Sequence, residues 1–232
     1  MSIKELQYNK VIFLSVFGNS LEVSLQHPLN VLKNHKQSKY CKFHYNFKNL
    51  YKGYLFNLYS INCISLIQYY GYNVFYKKTN NDLLSSVGSG FISAMIASPA
   101  EYYIINKIHK ETLLQSIQRN KITNIFKFGL LSCLMREGIY TSCLLTFTPK
   151  LEKKMKEKEI KYGNIISPLF GGSISTFLSH PFDTRKTNQQ KNNNNKLKFK
   201  CDFRGFGLRS IRMITTFFIL NETNKFFINN LY

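Results

Sequence analysis

Stretches without charged residues alternate with Lys-rich segments along the whole chain. Six such stretches occur, at residues 11–32, 53–76, 83–100, 128–149, 162–182 and 213–221. Only Glu22 interrupts the first stretch, and only the adjacent pair Arg136 and Glu137 interrupts the fourth. A helix of about twenty mostly apolar residues can cross a bilayer. The pattern therefore predicts six membrane-spanning helices.

The stretches also contain many polar, uncharged residues, and the second alone carries Asn57, Ser60, Asn62, Ser65 and Gln68. In a soluble all-helical protein these side chains would lie on the solvated faces of amphipathic helices. In a membrane they would lie against neighbouring helices or around an aqueous cavity. Because the charge-free stretches recur so regularly, we favour the membrane interpretation.

A proline motif occurs three times, each time near the end of a charge-free stretch. An acid or an amide follows two residues after the proline, and in two of the three copies a base follows after five. The copies are His27-Pro28-Leu29-Asn30-Val31-Leu32-Lys33, Ser98-Pro99-Ala100-Glu101-Tyr102-Tyr103-Ile104 and His180-Pro181-Phe182-Asp183-Thr184-Arg185-Lys186.

A cluster of aromatic and basic residues that ends in glycine marks the start of the second helix of each pair. The copies are Tyr51-Lys52-Gly53, Phe126-Lys127-Phe128-Gly129 and Phe203-Arg204-Gly205, so the glycines are 76 residues apart both times. A fixed period of this kind indicates internal repeats. It predicts one domain, residues 1–232, built of three two-helix repeats at about residues 8–78, 82–158 and 161–232.

Both motifs resemble the signature of the mitochondrial carrier family, which is Pro-x-acid-x-x-base on each odd helix and aromatic-base-Gly before each even helix. The resemblance covers the chain from about residue 10 onward. It implies an all-α membrane protein with six transmembrane helices in three pseudo-symmetric repeats around a central cavity. It also implies a monomeric secondary transporter of the mitochondrial inner membrane, with a small-molecule substrate, no cofactor and both termini on the intermembrane-space side.

In that family, the acid and the base of the proline motifs form ion pairs that close the matrix side of the cavity. The resemblance implies that Glu101 pairs with Lys186 and that Asp183 pairs with Lys33. The third pair, Asn30 with Ile104, has lost both charges, and losing both costs far less than losing one. Gln37 and Gln190, each nine residues after a proline, resemble the glutamines that brace such pairs. We call these eight positions the gate.

The opposite end of the cavity matches the family less well. The family places aromatic-acid-x-x-base near the end of each even helix. Here residues 221–225 keep an acid and a base, residues 72–76 keep the aromatic, and Thr148-Pro149 keeps neither. No complete set of ion pairs can be assigned at this end.

The resemblance places substrate contacts seven residues after each repeat glycine, at Ser60, Arg136 and Arg212. An arginine binds a carboxylate in bidentate fashion, and the neighbouring Glu137 can bind an ammonium group. Charged groups at membrane depth are costly and therefore candidates for function. Glu22 and Arg209 complete the candidate substrate-binding set.

An amino-acid-like solute is the substrate that these residues favour, and the leading expectation is S-adenosylmethionine. Glu22 is an acid on the first helix, and only 25 residues separate Pro28 from Gly53. Both features resemble S-adenosylmethionine carriers. Carriers of keto acids, carnitine or nucleotides remain alternatives.

The repeat glycines also provide candidate sites for acidic lipid, which is cardiolipin in the family. Backbone N–H groups at a helix N-terminus attract anions. Gly53, Gly129 and Gly205 stand at such termini, and Lys52 and Arg204 lie next to two of them.

Two other classes of protein remain open, one because of the net charge and one because of the lost gate pair. The chain has 32 Lys and Arg against 12 Asp and Glu, a net charge of +20, which attracts an anionic partner. A basic nucleic-acid-binding protein is one alternative, but no such motif occurs, and we expect no nucleic acid partner. A carrier-like membrane adaptor that no longer transports is the other, suggested by the lost gate pair. No catalytic motif or metal-ligand spacing occurs, so we expect neither enzymatic activity nor a metal site.

Overall fold

A computed structural model describes residues 8–37, 46–108, 128–192, 203 and 205–230. These residues form helices and no strand, which confirms the expected all-α fold. The helices are α1 (Tyr8–Gln37), α2 (Phe47–Leu50), α3 (Tyr54–Thr79), α4 (Asp82–Ile108), α5 (Leu130–Ser142), α6 (Thr148–Glu157), α7 (Gly163–Asn192) and α8 (Phe206–Asn230). A π-helical turn, Cys143–Phe147, joins α5 and α6 into one long rod.

In the described part of the chain, six long rods form a closed ring. Each packs against its neighbours in chain order, α1 on α3, α3 on α4, α4 on α5, α5 on α7 and α7 on α8, and the contact between α1 and α8 closes the ring. The described helices fall into three pairs in chain order, α1 with α3, α4 with the rod of α5 and α6, and α7 with α8.

The three repeat glycines adopt the same backbone conformation. Their φ angles are 79° at Gly53, 75° at Gly129 and 75° at Gly205. A residue with a Cβ atom is strained in this left-handed region, whereas glycine adopts it at no steric cost. Each glycine stands immediately before α3, α5 or α8. The 76-residue period thus corresponds to a repeated turn in the structure.

The histidines before two of the motif prolines pack against aromatic rings in equivalent ways. The ring of His27 lies 6.0 Å from that of Tyr51 and 5.7 Å from that of Tyr54. The ring of His180 lies 5.7 Å from that of Phe203 and 5.2 Å from that of Phe206. These contacts connect α1 to the start of α3 and α7 to the start of α8.

The π-helical turn before Pro149 was not expected from the sequence. Proline lacks an N–H group and its ring crowds the carbonyl four residues earlier, so the regular helical hydrogen bonds are interrupted. The backbone N–H of Thr148 instead donates to the carbonyl of Cys143, five residues before it. The Thr148 hydroxyl donates to the same oxygen at 2.8 Å.

Polar residues fill the interior of the ring, and large apolar residues cover its outside. Among the described residues, 36 polar or charged residues are buried, against 16 apolar ones. Leu25, Leu55 and Leu131, by contrast, are 67%, 72% and 68% exposed. This distribution is the reverse of that in a soluble globular protein. By length and mean hydropathy, one segment of the described chain, Asp82–Ile105, could cross a membrane.

Candidate functional site

A cavity of about 100 Å³ lies inside the ring. All six residues predicted to bind substrate line it: Glu22, Ser60, Arg136, Glu137, Arg209 and Arg212. Six gate residues line it as well, namely Asn30, Lys33, Glu101, Ile104, Asp183 and Lys186. Drug-sized ligands occupy pockets of about 300–1,000 Å³. In this conformation the cavity therefore has room for water or for one end of a small solute.

Both ion pairs implied by the proline motifs are present. The Nζ atom of Lys33 lies 3.0 Å from Oδ2 of Asp183 and connects α1 to α7. Lys186 pairs with Glu101 and connects α7 to α4. Ile104, at the uncharged third position, is buried.

Arg136 binds the protein's own carboxylates. Its Nη1 atom donates to Oε1 of Glu101 at 2.8 Å and to Oδ1 of Asp183 at 3.1 Å. Its Nη2 atom pairs with Glu137. The guanidinium group therefore connects α5 to both gate acids. In this conformation a substrate carboxylate could bind Arg136 only by replacing these contacts.

Asp183 is the acid that the most cations approach among the described residues. Besides Lys33 and Arg136, Nη1 of Arg209 lies 3.4 Å from its Oδ2 atom and Nζ of Lys186 lies 3.7 Å from its Oδ1 atom. Arg209 also donates from Nη2 to the hydroxyl of Ser179 at 2.6 Å. Arg209 thus belongs to the gate network as well as to the cavity wall.

Arg212 contacts α1 at two positions. Its Nη1 atom donates to Oδ1 of Asn30 at 2.9 Å. Its Nε atom lies 3.8 Å from Oε1 of Glu22, and the hydroxyl of Thr216 donates to that same carboxylate oxygen at 2.7 Å.

Two polar residues that sequence reasoning did not select support the predicted site. Gln68 donates from Nε2 to Glu137 at 3.0 Å, and Thr216 orients Glu22. The signal for Thr216 was its position four residues after Arg212, one turn along the same helix face. Gln68 could be recognised only as one of several polar residues in its charge-free stretch.

The remaining predicted site residues are the two gate glutamines, Ser60 and the candidates for lipid binding. Gln190 donates from Nε2 to the backbone carbonyl of Ser98 at 2.9 Å, one turn from the Lys186–Glu101 pair. The hydroxyl of Ser60 donates to the backbone carbonyl of Phe56. Gln37 ends α1, and its side chain lies outside the described residues, as does Arg204. Lys52 and the three repeat glycines lie at the gate end, and their lipid-binding role stays a prediction.

The other end of the ring is closed by an apolar cluster and by ion pairs that the family motif does not predict. Tyr69, Tyr72, Cys143, Leu144, Leu145, Met213, Phe217 and Leu220 form the cluster. Beyond it, Lys225 of α8 lies 3.1 Å from Glu152 of α6, and Lys150 lies 3.0 Å from Asp82. The motif search missed Glu152 because an acid there does not match aromatic-acid-x-x-base.

Glu152 should make the stability of the folded protein depend on pH in the acid range. It lies beyond Pro149, outside the charge-free stretch. Burial works to raise the pKa of Glu152, but Lys156 and Lys225 outweigh burial and hold that pKa below its ordinary value. The ionised Glu152 therefore contributes its full share to the stability of the folded protein above pH 4.5, which is its ordinary pKa. That share is lost as the pH falls through the lower pKa that Glu152 has in the folded state.

We expect Glu152→Gln to lower the stability of the purified protein by about 1 kcal/mol at pH 7 and by less at pH 3, measured by thermal unfolding. Glu157→Gln is the matched control, because the Glu157 side chain is 61% exposed and 3.9 Å from Lys153. A difference between wild type and Glu152→Gln that is the same at both pH values would contradict this assignment.

A comparison of the sequence with models of protein families finds no match, and a comparison with characterised proteins finds none either.

Proposed function

We propose that this chain is a six-span membrane transporter that moves a small metabolite through its central cavity by alternating access. The observation that carries the proposal is the reversed distribution of residues, with charges inside the ring and leucines outside it. In water that arrangement would expose apolar surface and bury ion pairs at a cost, whereas lipid favours it. The ring of three helix pairs supports the resemblance to mitochondrial carriers, from which we also propose the inner mitochondrial membrane.

Mean hydropathy underestimates helices of this kind. Where a span faces lipid on one side and a polar cavity on the other, its mean hydropathy is an average over an apolar face and a polar face. In α7, for instance, Phe177 is 61% exposed while Thr176 and Ser179 are fully buried. The low mean hydropathy of the other rods is therefore compatible with six spans.

A substrate that carries a carboxylate fits the charges of the cavity. Its described lining contains five cations and four carboxylates. The cations of the lining can pair with the carboxylate of an amino-acid-like solute and its carboxylates with the cationic groups of that solute, so we propose an amino-acid-like solute, with S-adenosylmethionine as the first to assay. The surplus of one cation favours a keto acid as the alternative, since it brings a carboxylate without a cation.

Two experiments test the proposal, one for the membrane assignment and one for the substrate class. We expect the protein to stay with the membrane on carbonate extraction and, in proteoliposomes, to take up labelled S-adenosylmethionine or another amino-acid-like solute saturably. Protein-free liposomes are the control. Release by carbonate would refute the membrane assignment. Uptake of nucleotides alone would refute the substrate class, and membrane retention without uptake of any solute would favour the adaptor.

A further inference from the structure

The gate is asymmetric, and its third side is closed by a hydrogen bond. Ion pairs close two sides, Lys33 with Asp183 and Lys186 with Glu101. On the third side the motif positions hold Asn30 and Ile104, which form no ion pair. There Nη1 of Arg212 donates to Oδ1 of Asn30 at 2.9 Å. On this side the cation therefore comes from α8 and not from a proline motif.

The two cavity arginines differ in the partners that a substrate would have to replace. Arg136 is held by Glu101, Asp183 and Glu137. Arg212 is held at the gate by a neutral amide, and Glu22 is 3.8 Å from its Nε atom. Hydrogen bonds between two charged partners are stronger than those with one neutral partner. A single substrate carboxylate can therefore displace the amide from Arg212 more easily than it can displace three carboxylates from Arg136.

We propose that Arg212 is a latch: it closes the third side of the gate through Asn30, and it leaves Asn30 to bind the substrate carboxylate. The inference rests on the proposed transport function, and it assigns to one hydrogen bond the link between substrate binding and gate opening. The loss of both charges at positions 30 and 104 has a use in this mechanism, because an aspartate at position 30 would hold Arg212 more tightly than the asparagine does and would slow its release.

Two opposite changes test the latch without any substrate. Arg212→Gln removes its cation, and Asn30→Asp turns its acceptor into a carboxylate. The readout is the rate at which a water-soluble maleimide labels Ile104→Cys, measured in excess of the labelling of the same chain without that cysteine. Ile104 is 4% exposed, lies at the gate and lines the cavity, so labelling by maleimide added only on the gate side of oriented proteoliposomes reports gate opening.

We expect about tenfold faster labelling with Arg212→Gln and about tenfold slower labelling with Asn30→Asp, since a tenfold change corresponds to about 1.4 kcal/mol and an added charge partner supplies that order of energy. Asn34→Asp is the matched control. It adds the same charge to the cavity wall one turn further along α1, and we expect less than a threefold change. Equal labelling of Asn30→Asp and Asn34→Asp would overturn the latch, even if Arg212→Gln failed to fold.

A second arm uses labelled S-adenosylmethionine in proteoliposomes. We expect Asn30→Asp to raise KM about tenfold more than Asn34→Asp does, because both variants add one negative charge to the cavity wall but only Asn30→Asp makes the substrate carboxylate compete with a charged acceptor on Arg212. Equal KM values for the two variants would overturn the latch. An absence of uptake together with the expected labelling would refute the proposed substrate and support the latch.

Discussion

Replacing Arg136 with glutamine is expected to destabilise the protein by about 3–5 kcal/mol, because the change leaves the buried Glu137 carboxylate without its cation and removes one cation each from Glu101 and Asp183. Arg136 is the described cation that contacts Glu101, Glu137 and Asp183 together. In a chain of this size, 1 kcal/mol shifts the melting temperature by about 2–4 °C. The measurement is thermal unfolding of the purified protein, and we expect Tm to fall by about 10 °C.

The double variant Arg136→Gln with Glu137→Gln separates lost charge balance from lost packing. It removes one charge of each sign, so the number of uncompensated carboxylates is smaller than in the single variant. We therefore expect the double variant to recover at least half of the lost Tm. A Tm for Arg136→Gln within about 2 °C of wild type would contradict the network, and so would a double variant less stable than the single one.

The features predictable from the sequence are those fixed by backbone geometry. Gly53, Gly129 and Gly205 repeat because a left-handed turn requires glycine. The pairs Lys33–Asp183 and Glu101–Lys186 were implied by the resemblance to the carrier family, and the structure contains both ion pairs. In both cases, position along the chain determines position in space.

The contacts that the sequence did not predict depend on how far long side chains extend and in which direction. Arg136 was expected to face the cavity, and it does, but the extension of its guanidinium to Glu101 and Asp183 does not follow from sequence spacing. Arg212 reaches Asn30 from another helix in the same way. A charged or amide group can satisfy either arginine, and the choice depends on side-chain rotamers that a sequence pattern does not encode.

The second large effect concerns the close approach of α4 and α5, which positions Arg136. Gly90 lies on α4, and a Cβ atom added there would come within 2.7 Å of the backbone carbonyl oxygen of Glu137 and would also overlap the hydroxyl of Thr141. A backbone atom cannot move away as a flexible side chain can, so α5 would have to shift. Overpacking typically costs about 1–3 kcal/mol. We expect Gly90→Ala to lower stability by at least the upper part of that range, measured as a fall in Tm.

Gly207→Ala is the control with the opposite expected sign. No atom lies within 4 Å of a Cβ atom built at Gly207, which is the second residue of α8, and alanine favours a helix more than glycine does. Gly207→Ala should therefore leave Tm unchanged or raise it. Because the shift forced by Gly90→Ala displaces Glu137 and its neighbour Arg136, the same variant should also lose most of its substrate uptake. A Gly90→Ala protein as stable as Gly207→Ala would mean that α4 and α5 do not approach this closely, and the position assigned to Arg136 would then be wrong.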